Sequence, residues 1–169
     1  MEIGLSSKLL KEEQIVSELA LLGINYLSRI SDDVVQQPRP IGTLLADIVR
    51  QPSSRVRTAL IALLLEHPEI ARAIPVAVKK VHAKNRITLK YFYTAAFLLQ
   101  RINIKTLMTK QGKIFQWLPN YFGDELNLKS EIDPEISLNL LCKKQQEETG
   151  SAINWVGTYK NVLAHIHIQ

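Results

Sequence analysis

Few side chains in this sequence have the type and spacing to do chemistry. Asp32 and Asp33 form an adjacent carboxylate pair inside the proline-bearing segment SDDVVQQPRP. Neighbouring side chains diverge, so the pair does not converge on a metal ion. His165 and His167 would share a face only if the segment were extended, and they sit at a terminus, where fraying is usual. His82 lies among Lys79, Lys80 and Lys84 with no acidic residue nearby, which leaves a general base without its orienting partner. The single cysteine, Cys142, falls beside Leu138 and Leu141 in an amphipathic segment and is expected to pack there, although Lys143 and Lys144 are the neighbours a reactive thiolate would want. The seven glycines are scattered, so neither a dinucleotide fingerprint nor a phosphate loop is present, and HExxH is missing. The sequence predicts no enzyme, no metal and no cofactor.

The strongest signal is charge. The net value of +5 divides unevenly: residues 1–47 carry four Lys/Arg against seven Asp/Glu, residues 48–123 thirteen against two, and residues 124–169 four against seven. Between Glu69 and Asp124 ten basic side chains occur and no acidic one. Lys79, Lys80, Lys84, Arg86 and Lys90 crowd the segment VKKVHAKNRITLK, and Arg101 and Lys105 follow at helical spacing, placing Lys90, Arg101 and Lys105 near one face. Like charges this close repel unless acids from elsewhere or a polyanion approach. Two expectations compete: the acidic ends fold back and neutralise the middle, or the middle is a surface for nucleic acid or an acidic protein, with salt-dependent affinity. Trp117 and Tyr121, with Tyr91 and Tyr93, would stack on bases or dock a partner if exposed.

These residues must be positioned by helices. Residues 8–30 repeat apolar groups at Ile15, Leu19, Leu22, Tyr26 and Ile30, the stripe of an amphipathic helix that Gly23 ends or weakens. Residues 42–51 predict a short helix ended by Pro52. Residues 54–66, capped by Ser53 or Ser54, predict one so apolar that it must be the most buried. Pro68 suits the first turn of a further helix, which Pro75 must kink or break. Residues 86–110 read as one long helix, 112–133 as a long ordered loop pinned by Phe115, Trp117, Leu118, Tyr121 and Phe122, and 134–149 as a helix closed by Gly150. A last helix starts at Ser151 or Asn154.

Within this pattern LLADIVRQPSSRVRTALIALLLEHPEIA resembles a HEAT-type unit: a helix, a proline-bearing turn, then V-R-x-A-L-x-x-L. The resemblance implies that Val56 and Ala59 anchor the second helix while Arg57 ties adjacent turns. No second copy follows at a spacing of about 40 residues, whereas solenoids need at least three. The same stretch as a DNA-reading helix-turn-helix would need an outward polar face, and beyond Arg55 and Thr58 it has almost none. None of the four histidines has an arginine at the spacing used by HEPN-type helical ribonucleases.

The expectation is therefore an all-α, irregular multi-helix bundle of about 6–7 helices with one HEAT-like hairpin, forming a single domain over residues 1–169. At this length such a chain buries roughly 70% of its unfolded surface. No signal peptide or membrane-length apolar run is read, and one cysteine suits a reducing cytoplasm. The function expected is non-enzymatic binding of a polyanion, nucleic acid first. The alternative is a regulatory, antitoxin-like or scaffold subunit that binds a co-encoded partner protein or a second copy of itself.

Overall fold

The computed structural model describes residues 11–27 and 39–166. Every regular element among them is helical, and eight α-helices pack into a bundle. Residues 8–10 and 28–30 of the first predicted helix, the Asp32–Asp33 pair and His167 lie outside the described residues.

Helix α1 (Lys11–Leu21) places Glu12 and Glu13 at its positive N-terminal end and buries Ile15 and Leu19. It stops before Gly23, whose φ of 88° only glycine adopts without strain, and the chain turns there. Arg39 then reaches back: Nε and Nη2 donate to the two oxygens of Glu18 at 2.8 and 2.7 Å, and Nη1 donates to Asp47. Glu18 and Asp47 are both buried, and Arg50 adds a second cation to Asp47 at 3.0 Å. This knot fastens α1 to α2 (Ile41–Arg50).

The α2–α3 hairpin takes the predicted form. Pro52 occupies the turn, Ser53 Oγ accepts from the Val56 amide at 3.4 Å, and α3 runs from Ser54 to Glu66. Arg57 holds the turn before its own helix, with Nη1 donating to the carbonyls of Gln51 and Pro52, both at 2.7 Å. From Ala59 to Leu65 every side chain is fully buried, because α2, α5 and α8 surround this helix. A 3₁₀ turn (Pro68–Ala73) leads into α4 (Ile74–Lys80), and Pro75 opens that helix, where no amide donor is needed, instead of kinking one already begun.

The long predicted helix differs in two ways. It begins earlier, at Ala83, and it is two helices, α5 (Ala83–Ile102) and α6 (Ile104–Gln111), separated at Asn103. Asn103 Nδ2 bonds the Leu99 carbonyl at 2.8 Å, satisfying the helix end from its own side chain. Nor does α5 keep a polar face at mid-length. Residues 91–96 and 98–100 are all buried, Tyr91 and Tyr93 among them, since α3 covers one side and α7 another.

The segment between the 3₁₀ turn at Gly112–Ile114 and α7 is ordered without helix, as read from the sequence. Leu118, Phe122 and Leu126 pin it, and polar groups of α5 hold its backbone. Gln100 Nε2 donates to the Gln116 carbonyl at 2.7 Å, its Oε1 accepts from the Leu118 amide at 2.8 Å, and Tyr93 Oη donates to the Pro119 carbonyl at 2.7 Å. Helix α7 (Pro134–Thr149) is capped by Asp133, which accepts from the Glu135 amide at 2.8 Å, and ends at Gly150 in the left-handed conformation. Helix α8 (Trp155–His165) starts at Asn154, which accepts from the Gly157 amide at 3.0 Å, and it packs on α3 and α7.

Candidate functional site

The basic segment meets the fold at the corner between α4 and α5. Two arginines build that corner. Arg86 donates through Nε to the Val78 carbonyl at 3.3 Å and through Nη2 to the Val81 carbonyl at 3.1 Å, while Arg50 Nη2 donates to the Lys80 carbonyl. Three carbonyls at the end of α4 are thus held by guanidinium groups of the protein itself. Lys79, Lys80 and Lys84 are left exposed around the start of α5. His82 precedes that start but its side chain makes no capping bond, so the first amides of a 20-residue helix carry no side-chain acceptor. A long helix presents roughly half a positive charge at its N-terminus. Lysine charge and helix polarity therefore have the same sign here.

The other predicted contacts separate from this corner. Lys90 pairs with Glu125 at 2.5 Å and lies over the Phe122 ring. Arg101 is half-buried, its guanidinium 3.4 Å from the Phe97 ring centre and 5.0 Å from that of Trp117, and it donates to the Leu118 carbonyl at 3.1 Å. Burial pushes its pKa down from the usual arginine value, opposed by the neighbouring Tyr93. Lys105 is exposed, but it belongs to α6, beyond the Asn103 break. The 20 residues of α5 span about 30 Å, so Lys84 in its first turn and Lys105 just beyond its far end stand at opposite poles. The sequence residues thus fall into an exposed trio at one pole (Lys79, Lys80, Lys84), an exposed lysine at the other, and three cations (Arg86, Lys90, Arg101) already engaged by the protein.

No acid from either end pairs with the trio among the described residues. Among the described residues the ion pairs from α1, α2, α7 and the loop before α7 go to Arg39, Arg50, Lys90 and Lys160, and Lys110 takes Glu66 at 2.6 Å. Of the ten cations from Arg72 to Lys113, six (Arg72, Lys79, Lys80, Lys84, Lys105, Lys113) are exposed with no carboxylate partner among the described residues. Trp117 and Tyr121 are 52% and 39% exposed. Trp117 stands edge-on to Phe115, and Tyr121 leans on Tyr93.

The remaining chemical candidates take structural places. Cys142 is buried beside Leu138 and Leu141, and burial pushes its thiol up to about 12 against the opposing pull of Lys160. His165 stacks on Tyr26, ring centres 4.0 Å apart, so the last turn of α8 is held. No group of three His, Cys, Asp or Glu is placed to hold a metal ion among the described residues, and no described helix is long and apolar enough to cross a membrane. Reading the sequence missed Arg50 and the uncapped α5 amides as parts of the corner. The amides had no clear signal, since Asn85 is a good capping residue but falls inside the first turn, and His82, a poor one, stands at the cap; Arg50 had none.

The fold and the corner define an all-helical bundle with an exposed cationic pole. No protein-family model matches the chain, and no curated protein or solved structure matches it either.

Proposed function

We propose that this protein is a non-enzymatic binding module that engages a polyanion, nucleic acid first, at the α4–α5 corner. The observation that carries the reading is the exposure of Lys79, Lys80 and Lys84 without carboxylate partners among the described residues, while Glu18, Asp47, Glu125 and Glu135 of the two acidic segments pair with other cations. Phosphate groups supply the acceptor that the uncapped amides of α5 lack. Arg86 and Arg50 fix the corner's backbone, so the lysines project from a rigid support.

The test is fluorescence anisotropy with short labelled single- and double-stranded DNA and RNA. Three lysine–phosphate contacts predict a slope of log K against log salt of about −2 on single strands and about −2.7 on duplex. Reversing Lys79, Lys80 and Lys84 to glutamate removes the binding and leaves the thermal melt unchanged. No binding at low salt, or binding indifferent to the triple reversal, refutes the reading.

A second reading has its own observation. At the opposite pole Met108, Ile114 and Trp117 are 48%, 71% and 52% exposed, on α6, the turn after it and the loop that follows, with Lys105 and Lys113 beside them in sequence. Exposed apolar groups rimmed by charge suit a protein partner with an acidic face. Salt separates the two readings, because an apolar dock holds where phosphate contacts dissociate.

A further inference from the structure

A cleft of about 420 Å³ opens on the side of the molecule where α3, α5 and α8 meet the turn after α1. It has no part in the cationic corner. Its walls include Tyr26, Phe92 and Trp155, with Arg55 and Arg57 from the first turn of α3 and His165 from the last turn of α8. Among the described residues no carboxylate lines it.

Its polar groups are unevenly satisfied. Arg55 commits Nη2 to the Tyr26 carbonyl at 2.7 Å, and Arg57 commits Nη1 to the Gln51 and Pro52 carbonyls. Each guanidinium carries five N–H donors in a planar fork, so both are oriented by the fold with donors left over. Two further polar atoms of the lining residues, Tyr26 Oη and Trp155 Nε1, are buried without any hydrogen-bond partner. Orphans of this kind are rare in native proteins and each calls for an explanation. An indole N–H only donates. Burial, partly opposed by Arg55, raises the Tyr26 hydroxyl to about 12, so it too keeps its proton at neutral pH. The two arginine forks, with no carboxylate among the described lining residues, lack one thing: an acceptor-rich group.

The walls specify the rest of the ligand. Phe92 meets Trp155 edge-on at 6.1 Å, and Tyr26 is backed by the His165 ring at 10° to its plane, so the apolar surface is aromatic and its planes are fixed. The volume lies at the lower end of the ligand-pocket range, room for one ring system and one charged group. We propose that the cleft binds a small planar organic anion, an aromatic ring bearing one carboxylate or one phosphate, with Arg55 and Arg57 at the anionic end and the ring against Phe92 and Trp155. The ring fills apolar space that no side chain occupies, and the anion receives donors already aimed.

Heteronuclear NMR on the ¹⁵N-labelled full-length chain tests this directly, because Trp117 and Trp155 each give an indole N–H signal that the Trp117→Phe variant assigns. Benzoate and adenosine monophosphate are the probes; acetate, inorganic phosphate and adenosine are the controls. The expected result is a saturable shift of the Trp155 signal with at least one probe, while Trp117 stays still. A response to benzoate alone assigns aromatic carboxylates, and one to the monophosphate alone assigns nucleotides. Arg55→Gln, at an exposed position and checked by its unliganded Trp155 signal, weakens the binding about tenfold. A Trp155 signal that neither probe moves overturns the proposal. So does one that acetate or phosphate moves equally well, since the ring then contributes nothing, or one that adenosine or the Arg55→Gln variant matches, since the anion then contributes nothing.

Discussion

Replacing Arg39 by methionine probes the knot between α1 and α2. The arginine is about a fifth exposed, yet both acids it holds are 3% exposed. Methionine keeps the volume and removes every donor. Glu18 then loses both its bonds to Arg39, at 2.8 and 2.7 Å, whereas Asp47 keeps Arg50 at 3.0 Å. Stranding one buried carboxylate costs about 3–5 kcal/mol, and the partial exposure of Arg39 places this site near the lower figure. With a urea m-value of about 2 kcal/mol/M, a loss of about 3 kcal/mol moves the denaturation midpoint down by about 1.5 M at an unchanged slope. The double variant Arg39→Met with Glu18→Leu recovers most of the loss, because it removes the charge that was stranded along with its partner. Urea titrations followed by circular dichroism measure all three proteins. A single variant within about 0.5 kcal/mol of the parent would mean that the knot behaves as a surface pair, and a double variant no better than the single would mean that Glu18 is not what is stranded.

Gln100→Leu leaves the buried Leu118 amide without its acceptor, costs about 2–3 kcal/mol, and makes that amide exchange with deuterium many times faster; unchanged exchange would show that Gln100 does not pin the loop. Lys84→Ala and Arg86→Ala should separate although two residues apart: the first weakens polyanion binding at constant stability, and the second lowers the melting temperature because three carbonyl contacts at the corner depend on two arginines. Stability should also fall as pH rises. Burial raises Cys142 and Tyr26 to about 12 and raises Tyr91, Tyr93 and Tyr159 as well. The unfolded chain releases those protons from about pH 9–10 and the native state keeps them, so the native state binds more protons and loses ground above that pH. Thermal melts flat from pH 8 to 11 would contradict this, as would rapid labelling of native Cys142 by a disulfide reagent at pH 8.

How much of this was legible depended on whether the signal was local. The bounds of α3 and α7 follow from Ser53, Gly150 and the prolines, residues that act on the backbone within one turn. The break at Asn103 did not show, because Leu99, Ile102 and Thr106 keep the apolar period across it; only the asparagine marks it, and asparagine is as often a surface residue. The charge asymmetry was plain, but what each cation does was not. Arg86 and Lys84 carry the same charge two residues apart, and their roles diverge because the carbonyls of Val78 and Val81 end within reach of one of them. Tyr91 and Tyr93 could serve as stacking surfaces only if exposed, and α3 and α7 enclose them. The cleft was beyond linear reading altogether, since Tyr26 and His165 meet across most of the chain.

The enclosure of α3 also bears on the newly made chain. Ala59–Leu65 is an unbroken apolar run, fully shielded only once α8, built from the last residues, is in place. During synthesis that run leaves the ribosome some 90 residues before its final cover, ample time for contact with other nascent chains. Its flanks read as gatekeepers: Arg55 and Arg57 on one side, Glu66 and Pro68 on the other, charge and a β-breaker bracketing the segment most prone to aggregate. The arginines that tie the hairpin turn and line the cleft in the finished protein thus serve earlier as its solubility guard.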